Sequence, residues 1–157
     1  MTRFILALIR LIALAFSFML STLAAAAFVT FALFLGAETE WLRNDPGVAF
    51  GSVGFTFAAW LEISHILFAP FLVYVVIAEP ARLTGLITNT LIGGGFAVVY
   101  MVMTPYVFDL PYSQQEVWTA ALAAGFIGGF IHWMLAGNRA GHWMGPAKIS
   151  AQSEDAL

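Results

Sequence analysis

The chain has 157 residues, 61% of them hydrophobic and 10% charged, with a formal net charge of −3. One soluble core of that length cannot enclose so much apolar surface, whereas a bilayer can serve as its solvent. The few basic residues are scattered, which points to no nucleic-acid partner. The absence of cysteine excludes disulfides, thiolate catalysis and cysteine-ligated metal or cluster sites.

Four apolar runs are each long enough to cross roughly 30 Å of hydrocarbon at about 1.5 Å per residue. The first covers about residues 11–35, after "MTRFILALIR". A basic start, an apolar stretch and "STLAAAA" resemble a signal peptide with a small-residue cleavage region, but "FVTFALFLG" continues the apolar run unbroken. Its length therefore assigns the segment to an uncleaved first helix. The second run, about 48–78, follows "NDPG", where Asn44 or Asp45 can cap and Pro46 can occupy the first turn. "EPAR" is expected to break the chain next, with Pro80 able to start a third helix over about 83–104. "SQQE" offers a capping box, Ser113 with Glu116, ahead of a fourth helix over about 117–136. Gly137 and Asn138 suit its end. The expected fold is all-α: a four-helix transmembrane domain over residues 1–146, then a polar cytoplasmic tail at 147–157. No internal repeat is apparent.

Charge predicts the orientation. Arg3, Arg10, Arg82, Arg139 and Lys148 share one side if both termini do, whereas Arg43 falls on the other with Glu38, Glu40, Asp45, Asp109 and Glu116. Positive charge stays cytoplasmic, so both termini are expected inside. Trp41, Tyr106, Tyr112 and Trp118 would then anchor the outer interface, and Trp133 and Trp143 the inner one.

Two runs carry stripes of small residues. Gly85, Asn89, Gly93 and Ala97 recur every fourth position in the third, and Gly125, Gly129, His132 and Ala136 share one face of the fourth. Small residues let membrane helices approach closely. An antiparallel hairpin turning near Asp109–Pro111 would pair Gly85 with Ala136, Asn89 with His132, Gly93 with Gly129 and Ala97 with Gly125. This register predicts a close seam with an Asn89–His132 hydrogen bond. The other reading of the stripes is a groove for a flat ligand such as a haem or quinone.

The second run contains "WLEISHILFAP". Glu62 is a carboxyl group inside an apolar span, where a charge costs roughly 2.5–3.5 kcal/mol on insertion scales and marks a functional candidate. His65 follows three residues later, which places both on about one face. Pro70 removes a helix hydrogen bond just beyond them. Depth counting puts Ser21, Thr22 and Tyr100 near the level of Glu62. The ordinary reading is a protonated carboxyl group hydrogen-bonded to these hydroxyls; the functional one is a proton-coupled or ligand-binding site. Glu-x-x-His is also a di-iron spacing, but that site needs two such motifs and two further acids. His65 and His132 differ in depth by on the order of 12 Å, too far to share one haem iron. No nucleophile or phosphate-binding motif occurs, so no enzyme activity, metal or cofactor is expected.

The stretch "AAGFIGGFIHWMLAGNRAG" resembles the C-terminal signature of small uncharacterised bacterial four-helix inner-membrane proteins. The residues that carry the resemblance are Ala123, Ala124, Gly125, Gly128, Gly129, Trp133, Ala136, Gly137, Ala140 and Gly141. It implies a bacterial inner-membrane location and no activity. The sequence is thus read as a non-enzymatic accessory or interaction subunit whose partners are the lipid bilayer and a larger membrane complex or a second copy. The alternative is a transporter or a proton-coupled or ligand-binding protein centred on Glu62 and His65.

Overall fold

The computed structural model describes residues 2–34, 46–104 and 113–144. The expected Asn44 or Asp45 cap, the anchors Trp41, Tyr106 and Tyr112, and the 147–157 tail lie outside the described residues. The elements are α1 (Thr2–Phe34), α2 (Pro46–Ala81), α3 (Leu86–Met103) and α4 (Gln114–Leu135). Two single 3-10 turns follow at Gly137–Arg139 and His142–Met144. All four helices are long and apolar enough to cross a membrane. The protein is an all-α four-helix bundle of the multi-pass membrane kind.

Side-chain polarity is arranged as a bilayer requires. Phe4, Phe16, Phe31, Val76, Ile87 and Val102 point outward, while Ser17, Thr22, Thr30, Asn89 and His132 are buried. Backbone groups are satisfied within the helices, so the outer surface can be wholly apolar. Many of the polar side chains find partners between helices or on their own backbone: Thr30, for instance, donates to the Ala26 carbonyl at 2.9 Å.

Two helix boundaries differ from expectation. α1 starts at Thr2 rather than near Leu11. Arg10 does not delay it, because its charge is paired inside the bundle with Glu79. α2 runs through Pro80 to Ala81, so "EPAR" neither breaks the chain before Pro80 nor starts α3 there. A proline in a helix's last turn forfeits only one hydrogen bond. The stop comes at Arg82, whose φ of 52° is left-handed. Arg82 N–H donates to the Glu79 carbonyl at 3.3 Å and Leu83 N–H to the Ala78 carbonyl at 3.1 Å. These are the paired bonds of a Schellman ending. Ser113 and Glu116 form their capping box at the start of α4.

α4 lies between α1 and α3, and α2 leans mainly on α1 and touches α3 much less. The α3–α4 seam is the closest. A Cβ placed on Gly129 would lie 2.5 Å from the Asn89 carbonyl oxygen, and one on Gly125 would lie 2.5 Å from that of Gly93 and 2.7 Å from the Ala97 methyl. A side chain at either position would push the backbones apart. Gly93 thus sits against Gly129, and Ala97 against Gly125. Gly85 does not join the seam. It is exposed in extended backbone as the N-cap of α3, and a Cβ there would meet only Thr88. The helical repeat that aligns the stripe begins only at Leu86. Ala136 is fully buried, but its carbonyl serves Arg10 rather than Gly85.

Candidate functional site

The four helices surround a cavity of about 310 Å³. Its origin is steric. Gly93, Ala97, Gly125 and Gly129 present almost no side-chain volume, and the rings of Phe18, Phe71 and Tyr74 line the remaining space without filling it. The closest approach of two helices therefore leaves space in front of them that the other two do not fill.

One end of the cavity carries Glu62. The Tyr100 phenol is hydrogen-bonded to the Glu62 carboxylate and to Thr104. Tyr100 stands three positions before Met103, so this group lies about 5 Å inside that end of α3. Thr22 is a local hub. Its hydroxyl donates to the Phe18 carbonyl at 3.0 Å and accepts from Ser64 Oγ at 2.9 Å and Trp60 Nε1 at 3.1 Å. Ser21 also lines the cavity, and its buried hydroxyl has no hydrogen-bond partner among the described residues. His65 is not brought to this group: it is exposed on the outward side of α2. Three residues turn an α-helix by about 300°, leaving two side chains about 60° apart. That suffices to place Glu62 inside the bundle and His65 outside it.

The other end holds Tyr74, Asn89 and His132. Tyr74 donates its hydroxyl to Asn89 Oδ1 at 2.5 Å, and Asn89 Nδ2 donates to the carbonyls of Leu83 at 3.0 Å and Gly85 at 2.8 Å. His132 Nδ1 pairs with Ser17 Oγ at 2.7 Å, and its ring meets those of Phe71 and Tyr74 edge-on, with centroids 5.4 and 5.7 Å apart. Asn89 and His132 thus border one space without the hydrogen bond expected between them. The α2–α3 turn and the Tyr74 phenol satisfy the amide first, and α1 supplies the partner of the imidazole.

Beyond that end, Arg10 Nε donates to Glu79 Oε1 at 2.8 Å and Arg10 Nη2 to the Ala136 carbonyl at 2.9 Å. Gly141 N–H donates to Glu79 Oε2 at 3.0 Å. Both charged side chains are about nine-tenths buried. Gly141 has a φ of 73°, and a Cβ there would come within 2.6 Å of the Arg82 side chain, so the approach needs glycine on both counts. Trp133 Nε1 closes the same end on the Thr84 carbonyl at 2.9 Å. Reading Arg10 only as a charge on the side of the termini, and Glu79 only as part of "EPAR", misses this network. The signal was present in the antiparallel register of α1 and α2. The hydroxyl pairs Thr30–Thr56 and Thr22–Ser64 follow that register, and it carries Arg10 to the level of Glu79.

Between its two ends the cavity is lined by apolar and aromatic side chains. Its polar groups stand at the two ends of an apolar chamber, and no cluster of three His, Cys, Asp or Glu side chains able to hold a metal ion occurs among the described residues. Comparison with protein families, with curated proteins and with solved structures finds no match to this chain.

Proposed function

We propose that this chain is a multi-pass protein of the bacterial inner membrane, with both termini cytoplasmic, that binds a small lipid-soluble molecule between its helices without catalysing a reaction on it. The observation that carries this reading is the cavity of about 310 Å³ with Glu62 at one end and Asn89 and His132 at the other. Ligand pockets are commonly apolar chambers of about 300–1,000 Å³ with a few convergent polar groups. The sparse α2–α3 contact supports lateral entry from the lipid. The glycine stripes give little support to an accessory subunit, because Gly93 and Gly129 are spent on each other inside the bundle.

Native mass spectrometry of the chain released from mild detergent tests the proposal. A small molecule bound near one per chain, absent from a Leu67→Trp variant whose indole fills the chamber, is the expected result. An empty chain with a stoichiometric protein partner would overturn it. That outcome would favour the accessory reading, for which the outward face of α2 offers Gly51, Gly54 and exposed His65. Orientation is tested separately by reporter fusions within residues 37–47 and at the C-terminus, which should report opposite compartments.

A further inference from the structure

We infer that the cavity takes the planar dicarbonyl head of a quinone, with one carbonyl oxygen accepting from His132 Nε2–H and the other from the Ser21 hydroxyl. This rests on the ligand-binding reading above and names the ligand's chemistry. The tautomer of His132 follows from Ser17. Ser17 is fully buried, and the one partner its hydroxyl has among the described residues is His132 Nδ1, at 2.7 Å. A serine that accepted from Nδ1 would keep its own proton unpaired away from water, so Ser17 donates and Nδ1 accepts. The neutral imidazole then carries its proton on Nε2. Nε2 has no partner among the described residues, and the ring lines the cavity. Its contacts with Phe71 and Tyr74, at centroid distances of 5.4 and 5.7 Å, hold it in place.

A second, independent observation stands one turn of α1 beyond Ser17, about 6 Å along the helix. Ser21 is only 8% exposed, it lines the same cavity, and its hydroxyl oxygen has no partner among the described residues. Buried hydroxyls are normally hydrogen-bonded. The neighbouring donors are already spent: Tyr74 donates to Asn89, both amide hydrogens of Asn89 go to backbone carbonyls, and Thr22 donates to the Phe18 carbonyl. The two open groups both offer a proton, so a ligand that meets them must accept at two separate points. The space before them suits a flat, otherwise apolar molecule. Gly93, Gly125 and Gly129 form a wall of backbone, and Phe18, Phe71 and Phe96 add aromatic rings. A quinone head is flat and accepts twice. An apolar substituent on its ring can leave toward lipid between α2 and α3, which touch much less than α2 and α1 do. A carboxylate would also accept from both donors, but no lysine or arginine among the described residues lines the cavity to offset its charge.

Three probes of nearly one shape test the assignment: 2-methyl-1,4-naphthoquinone with two opposed carbonyls, 1-tetralone with one, and 2-methylnaphthalene with none. Their binding to the full chain in lipid nanodiscs is read by saturation-transfer NMR against empty nanodiscs, with circular dichroism and gel filtration to verify the fold of each variant. The quinone should bind at least about tenfold more tightly than the hydrocarbon, with the ketone between them. His132→Phe and Ser21→Ala should each weaken quinone binding at least about threefold and leave that of the hydrocarbon unchanged. His132→Gln, which keeps an N–H near the position of Nε2, should retain the preference. Equal binding of all three probes, a ketone bound as tightly as the quinone, or a preference unchanged in both His132→Phe and Ser21→Ala overturns the quinone assignment while the cavity remains a ligand site. If none of the three binds, or if Leu67→Trp leaves their binding unchanged, the ligand-binding reading itself falls.

Discussion

α2 carries two inward carboxyl groups, and their surroundings differ in kind. Glu79 is enclosed by donors that belong to the protein: the Arg10 guanidinium and the Gly141 amide. Glu62 meets hydroxyl-bearing neighbours and an open chamber. Removing a charge from water costs several kcal/mol, and that cost is offset only by close, well-directed partners. At Glu79 the offset is built in, and the group ties α1, α2 and the segment after α4 into one end of the bundle. Glu62 is half-buried and borders the cavity. One acid therefore ties helices together, whereas the other stands in the wall of the cavity.

Five variants would break or sharpen this contrast. The largest effect is expected from Arg10→Ala, which leaves Glu79 buried without its guanidinium. Thermal or SDS unfolding from mild detergent should show a loss of about 3–5 kcal/mol; unchanged unfolding would mean that the pair does not hold that end together. The double variant Arg10→Met with Glu79→Leu removes both charges and should recover to within about 1–2 kcal/mol of the native chain, since an apolar pair carries no desolvation cost. A double variant no more stable than Arg10→Ala would show that the geometry of the hydrogen bonds, not the stranded charge, dominates. Glu62→Ala should cost only about 1–2 kcal/mol, by depriving the Tyr100 phenol of one acceptor, and Glu62→Gln should cost less than half of that. A loss at Glu62 as large as that at Arg10 would erase the distinction between the two acids. His65→Leu should lie within about 0.5 kcal/mol of the native chain in the same unfolding assay, because the imidazole projects outside the bundle. A larger loss would point to a packed partner on that face.

The particular residues show why some of this was legible in the sequence. The capping box of Ser113 and Glu116 forms because its bonds span three residues and need nothing distant. Gly93 meets Gly129, and Ala97 meets Gly125, because an antiparallel hairpin has one free parameter, its turning point. Gly85 fails the same extrapolation because α3 had not yet begun at that residue. The pairing of Asn89 with His132 fails because depth matching ignores competition: Tyr74 on α2 and Ser17 on α1 reach those groups first. Spacing places His65 beside Glu62, but spacing along a helix says nothing about where the edge of the bundle falls between two side chains about 60° apart.

Composition and periodicity by themselves determined four apolar helices and an all-α bundle, since any chain this apolar must bond its backbone internally and face lipid. They also pointed to the small-residue contact between α3 and α4, because small residues spaced by one turn on two antiparallel helices can close tightly against each other. Only the tertiary structure decided that Arg10 and Glu79 meet across residues far apart in the chain, that α2 separates Glu62 from His65, and that the bundle encloses a cavity. Those outcomes depend on how α2 rotates and leans against three other helices. That is a property of side-chain volumes summed across the whole bundle, and no local stretch of sequence contains it.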